Sequence, residues 1–120
     1  MLKDTLFTIQ QKEETGDSCI YHLSLNALHP IYAAHFPGNP VTPGACIVQI
    51  IKELTEDIYQ KPLSVHTVKN TKFLNVINPL KNREITIHLS YKNSDDKSVS
   101  VSGNVIREDT VFAKVSLILF

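Results

Sequence analysis

No apolar run of about 18 residues occurs anywhere in this 120-residue chain, so the sequence offers no membrane-spanning helix. Its opening, MLKDTLFTIQQKEE, has no apolar segment of signal-peptide length and brings in acids early. The expectation is a soluble, cytoplasmic protein. Only two cysteines are present, Cys19 and Cys46. Two are too few for a disulfide scaffold, and no CxxC pair suggests zinc. Both read as small buried hydrophobes. The five histidines, His22, His29, His35, His66 and His88, form no HxH or HxxxH pair, so no metal and no cofactor is expected. Excess charge is absent too: Lys plus Arg and Asp plus Glu both number 12. That balance lacks the basic footprint of a nucleic-acid binder. The halves differ, however, at −4 for residues 1–60 and +4 for residues 61–120. A basic second half suits an acidic partner. Protective lysines on solvated strand edges explain it equally well.

What is present fits one domain over residues 1–120, with 42% hydrophobic residues to build a core. A domain of this size gains from association. No internal repeat or low-complexity stretch is found. Leu6 to Gln10 alternates weakly and reads as a strand. Cys19 to Leu25 reads as a second, after a turn at Thr15-Gly16-Asp17. Four prolines between residues 30 and 44 then mark a constrained, shaped loop. A helix follows, with Thr42 as N-cap and Pro43 at the first helical position. Ile47, Ile50, Ile51, Leu54 and Ile58 recur at spacings of three and four, which carries the helix to about Tyr59. Ala45 and Val48 widen the stripe, so the helix is expected to be nearly surrounded by protein. Strands are expected at Val65–Phe73, Glu84–Lys92, Val99–Arg107 and Val111–Phe120. Strands grouped around one helix imply an α+β domain with an antiparallel sheet, for which several folds are candidates.

The most informative stretch runs from His35 to Gln49: HFPGNPVTPGACIVQ. It resembles the signature H-F-P-G-x-P-x-x-P-G-x-x-x-x-E of the 3-hydroxyacyl-[acyl-carrier-protein] dehydratases, matching at every loop position. A weaker likeness lies at Lys72-Phe73 followed by Pro79. The resemblance implies a hotdog fold, with an antiparallel sheet wrapped around one long central helix. It also implies acyl carrier protein as the partner that delivers a thioester substrate. The functional unit it implies is a homodimer or hexamer, or a heterodimer with a related hotdog chain.

The implied reaction removes a proton from C2 of a 3-hydroxyacyl thioester and expels the C3 hydroxyl, giving a trans-2-enoyl thioester. Imidazole titrates near neutral pH and suits the first step, so His35 is the candidate base. The thioester oxygen needs a preorganised donor. Gly44 lies in the first helical turn, where N–H groups lack internal partners and the dipole is positive. Its N–H is the implied donor; tight loop packing is the alternative reason for a glycine there. Ile31, Val41, Val48 and Phe73 are candidates to line the acyl tunnel, or are ordinary core.

One position departs from the signature. Gln49 stands where the family has Glu or Asp, and an amide can donate and accept hydrogen bonds but cannot act as a Brønsted acid. Glu53, four residues on, occupies the position where the family often has Gln, so the pair looks exchanged. Glu53 is a candidate carboxylate, acting directly or through Gln49; the alternative is that it meets Lys52 or solvent. Four functions stay open. They are the dehydratase, a non-catalytic or half-active subunit that binds acyl carrier protein or pairs with a related chain, an acyl thioesterase, and an interaction module of unrelated purpose.

Overall fold

In the computed structural model, residues 1–34 and 38–120 are described. Six antiparallel strands form one sheet in the order β1-β2-β4-β5-β6-β3. The strands are β1 (Phe7–Thr15), β2 (Ser18–Leu25), β3 (Val65–Phe73), β4 (Glu84–Asn93), β5 (Val99–Arg107) and β6 (Thr110–Leu119). A short helix α1 (Pro30–Ala34) and a long helix α2 (Gly44–Tyr59) lie between β2 and β3.

The two-residue period of the strands decides which face is buried. Odd-numbered residues point inward along four strands: Tyr21 and Leu23 on β2, Ile87 and Leu89 on β4, Val101 and Val105 on β5, and Val115 and Leu117 on β6. The even face carries Ser90, Ser100, Ser102 and Asn104, all exposed. Helix α2 lays Ile47, Ile50, Ile51 and Leu54 onto the odd face as one cluster. Gly103 marks the closest approach, because a Cβ added there would stand 2.9 Å from Ile51 Cδ1. The sheet therefore wraps the central helix, as expected.

Several boundaries differ from expectation, each for a physical reason. Strand β1 runs on to Thr15, although Gln11–Glu14 is wholly polar. It is an edge strand, held by backbone pairing with β2 and solvated on both faces. The constrained segment begins with helix α1 instead of loop; Pro30 is its first residue, where the missing N–H does no harm. The N-cap of α2 is Pro43, not Thr42. Thr42 is buried and spends its hydroxyl elsewhere, as described below. The far end of α2 closes on Gln60, whose left-handed backbone (φ 54°, ψ 42°) returns its N–H to Glu56 O. Finally, α2 is not surrounded on all sides within one chain: Ala45 is exposed, and Val48 and Ile58 are only partly buried. Of the two cysteines, Cys19 is buried as expected and Cys46 is half-buried.

Candidate active site

The described residues on either side of His35 are joined by hydrogen bonds. Tyr32, in α1, is buried and sends its hydroxyl to Thr42 Oγ1 at 2.9 Å. The Thr42 N–H donates to Ile77 O at 2.9 Å, just after β3. Burial raises the Tyr32 hydroxyl pKa against the opposing effect of its Thr42 bond, so the group stays protonated. Between these anchors, Gly38 adopts φ +81°, a backbone that side chains disfavour. The candidate base His35 lies, with Phe36 and Pro37, outside the described residues.

Gly44 opens α2. Cys46 and Ile47 return their N–H groups to Pro43 O, which leaves the Gly44 N–H ahead of the first intrahelical bond. Phe73, at the end of β3, places its ring against this glycine: a Cβ at residue 44 would lie 2.8 Å from Phe73 Cζ. Two residues named from sequence therefore meet. The ring is 52% exposed and forms part of the surface, not the core.

The exchanged pair also meets. Gln49 Nε2 donates to Glu53 Oε2 at 2.8 Å. Glu53 is only 4% exposed. Its carboxylate also accepts the Leu2 N–H (3.0 Å to Oε1, 2.9 Å to Oε2) and the Lys3 N–H at 2.9 Å. The alternative that Glu53 meets Lys52 or solvent is thereby corrected, since Lys52 reaches Glu56 at 3.5 Å. Burying a carboxylate demands this much hydrogen bonding, and the N-terminal backbone supplies it.

Residues 10–114 match the ApeI-like family, described as ApeI dehydratase. The chain belongs to the ApeI-like dehydratase family. It is 34% identical over 59 residues to the 3-hydroxyacyl-[acyl-carrier-protein] dehydratase FabZ of Caulobacter vibrioides, a match spanning 42% of this chain and 37% of that protein. The matched part is thus little more than a third of the relative's length. In fold, the chain superposes on the dehydratase heterocomplex ApeI:P from Xenorhabdus doucetiae at 16% identity and a TM-score of 0.69, covering 93% of this chain and 96% of that one. It also superposes on thioesterase HI1161 from Haemophilus influenzae at 14% identity and a TM-score of 0.62, covering 96% and 78%. These likenesses establish the hotdog fold.

In this member of the ApeI-like family, Ile31 and Val48 pack as partly buried residues at the rim of the core, and Val41 is half-buried. A surface groove of about 560 Å³ lies elsewhere, at the β1–β2–β4 end of the sheet, between Phe7, Leu25, Leu28, Leu80 and Arg83. It contains none of the expected tunnel residues, and Leu28 and Leu80 stand 90% and 70% exposed beside it. Sequence reasoning also missed a polar lock at the other end of α2. Tyr21 donates to Asp57 Oδ2 at 2.7 Å, and Lys12 reaches the same oxygen at 3.0 Å. Burial works against ionisation of Asp57, but the Tyr21 and Lys12 hydrogen bonds outweigh it and hold the carboxyl below its ordinary range. Among the described residues, no three His, Cys, Asp or Glu side chains cluster to hold a metal, and no helix is long and apolar enough to cross a membrane.

Proposed function

We propose that this chain dehydrates 3-hydroxyacyl thioesters carried on acyl carrier protein, producing trans-2-enoyl thioesters for fatty acid or related acyl and polyene synthesis. His35 takes the C2 proton. Negative charge then builds on the thioester oxygen, where the Gly44 N–H at the positive end of α2 receives it. The C3–O bond breaks, and the hydroxyl leaves as water once it gains a proton. Gln49 has no proton to give. The imidazolium formed in the first step does, so His35 serves as base and then as acid. Family membership, together with the first-turn N–H at Gly44, supports this reading most directly.

The reading also includes a paired assembly, with Gln49 of one subunit facing the His35 loop of another. Strand β3 supports it. This strand is a sheet edge, yet it exposes Val65, Val68 and Phe73, and the chain continues with exposed Leu74 and Val76. An uncovered apolar edge invites a partner strand. The basic second half of the chain suits an acidic carrier protein.

The test is His35→Ala, with circular dichroism to verify folding, assayed on carrier-linked 3-hydroxyacyl substrates of several chain lengths. Dehydration should fall by at least about a hundredfold, the usual contribution of a positioned general base. Unchanged turnover refutes the role. A second reading is favoured by Gln49: a half-active subunit whose acid comes from a related hotdog chain. It predicts no turnover by the purified chain and recovery on mixing with that partner. A thioesterase would instead release free carrier thiol.

A further inference from the structure

We propose that Glu53 is a positioning residue: it locks the Gln49 side chain so that the amide carbonyl, not the amide nitrogen, faces the substrate. This rests on the dehydratase reading and extends it to the state of the hydroxyl at C3.

The argument starts from which atoms can donate. A backbone N–H only donates. Leu2 N and Lys3 N together contact both oxygens of Glu53, so both oxygens are acceptors there. An ionised carboxylate has no proton to donate, so any group approaching it from the Gln49 side must be the donor. Of the two ends of an amide, only the NH₂ can do so, and it lies 2.8 Å from Oε2. The amide oxygen sits across the same planar group, so it is turned away from Glu53. Among the described residues it receives no hydrogen bond. The carboxylate cannot rotate out of this role, because it is buried and held by chain fifty residues distant. The i, i+4 spacing on α2 places the two side chains on one helix face.

The chemical consequence follows from the direction of the hydrogen bond. A carbonyl oxygen at Gln49 accepts a hydrogen bond from the substrate's own hydroxyl, which aims that O–H at the amide. The lone pairs of the hydroxyl oxygen then point elsewhere and are free to take the proton that His35 has collected from C2. An NH₂ in the same place would occupy a lone pair and compete with that transfer. Glu53 thus acts through Gln49, without touching substrate.

The experiment combines NMR and kinetics on the full-length chain. The Gln49 side-chain NH₂, observed with ¹⁵N-glutamine labelling, should exchange slowly with solvent in the native protein. In Glu53→Gln, the new amide has one acceptor oxygen, which the Leu2 and Lys3 N–H groups claim at the Oε1 position, and its NH₂ faces Gln49. The Gln49 amide must then flip, losing its slow exchange, and kcat should drop about tenfold or more at unchanged KM, the size expected when a charge-assisted hydrogen bond is lost. If Glu53→Gln does not fold, the double exchange Gln49→Glu with Glu53→Gln decides. It rebuilds the donor–acceptor pair in reverse order, and should fold, turn over, and gain an acid-dependent limb in its pH–rate profile. Fast exchange of the Gln49 amide in the native protein overturns the proposal. So does a folded Glu53→Gln with native kcat, or a double exchange that folds without the new pH limb. A slow Gln49 amide in a native chain that dehydrates no carrier-linked 3-hydroxyacyl substrate supports the lock and overturns the dehydratase reading instead.

Discussion

Replacing Gly44 with alanine separates the two reasons for a glycine at the start of α2. The added Cβ would stand 2.8, 3.0 and 3.3 Å from Phe73 Cζ, Cε2 and Cε1. Ordinary carbon–carbon contact is about 3.5–4.0 Å, so the ring must retreat by roughly 0.7 Å or more. Because that ring is 52% exposed, it can swing toward solvent at small cost. The φ of Gly44 is not positive, so alanine meets no backbone strain, and loss of glycine's freedom in the unfolded chain returns about 0.4–1 kcal/mol. The two effects nearly cancel, and the melting temperature should move by only a few degrees. Catalysis should respond far more. If the Gly44 N–H binds the thioester oxygen, a methyl group beside it blocks that approach. Loss of one such donor is worth about 2.7–4 kcal/mol, or roughly 100- to 1000-fold in kcat. Gly44→Ala and Gly44→Ala/Phe73→Ala should be compared by thermal melting and by turnover of carrier-linked 3-hydroxyacyl substrate. Removing the ring relieves the contact but not the blocked N–H, so the double variant should remain impaired. Native turnover in Gly44→Ala, or full rescue by Phe73→Ala, refutes the donor role and leaves Gly44 as a packing residue.

Two further predictions concern stability. Tyr21→Phe removes a 2.7 Å donor to Asp57 and should cost about 1.5 kcal/mol, the lower end for a bond to a charged group because Lys12 and solvent still reach that carboxylate. A 120-residue domain loses about 6 °C of melting temperature for that amount. The folded pKa of Asp57 lies below its ordinary 3.8, so its contribution is complete above that pH and is lost as pH falls further. The gap between native and Tyr21→Phe melting temperatures should therefore narrow in acid; a gap that widens below pH 3.8 contradicts the ionised lock. Gly103→Ala drives a methyl to 2.9 Å from Ile51 Cδ1 and 3.0 Å from Leu89 Cδ2, both fully buried. Overpacking there should cost about 1–3 kcal/mol in urea unfolding, and a native midpoint would mean that α2 can lift off β5 freely.

The inward-facing residues were legible because alternation and burial share a cause. Strands β2, β4, β5 and β6 each bury one face against α2, so their apolar residues must repeat every second position. Strand β1 escaped notice past Gln10 for the same reason reversed: on an edge with no covered face, Gln11 to Glu14 have nothing to alternate for. Helix α1 was hidden by length, since five residues cannot display a helical period, although Pro30 at its first position was a usable signal. The placement of β3 beside β6 was not legible at all. Pairing of Val68 with Leu117 across nearly fifty residues is decided by closing the sheet around the helix, and no local pattern encodes it.

The same distinction between local and distant causes governs the site. The run from His35 to Gln49 could be recognised because loop, helix start and central helix are consecutive in the chain. Gln49 and Glu53 could be paired on paper because four residues make one helical turn. What the sequence could not supply was the direction of their hydrogen bond. That direction is imposed by Leu2 and Lys3, whose contribution is two main-chain N–H groups and so leaves no trace in side-chain identity. Thr42 makes the same point from the other side. Its residue type and place before Pro43 suggested a cap, yet its hydroxyl is instead engaged with the buried Tyr32 hydroxyl, a partner ten residues back in the chain. A motif therefore names the atoms that do chemistry, whereas the orientation of those atoms is set by partners the motif does not contain.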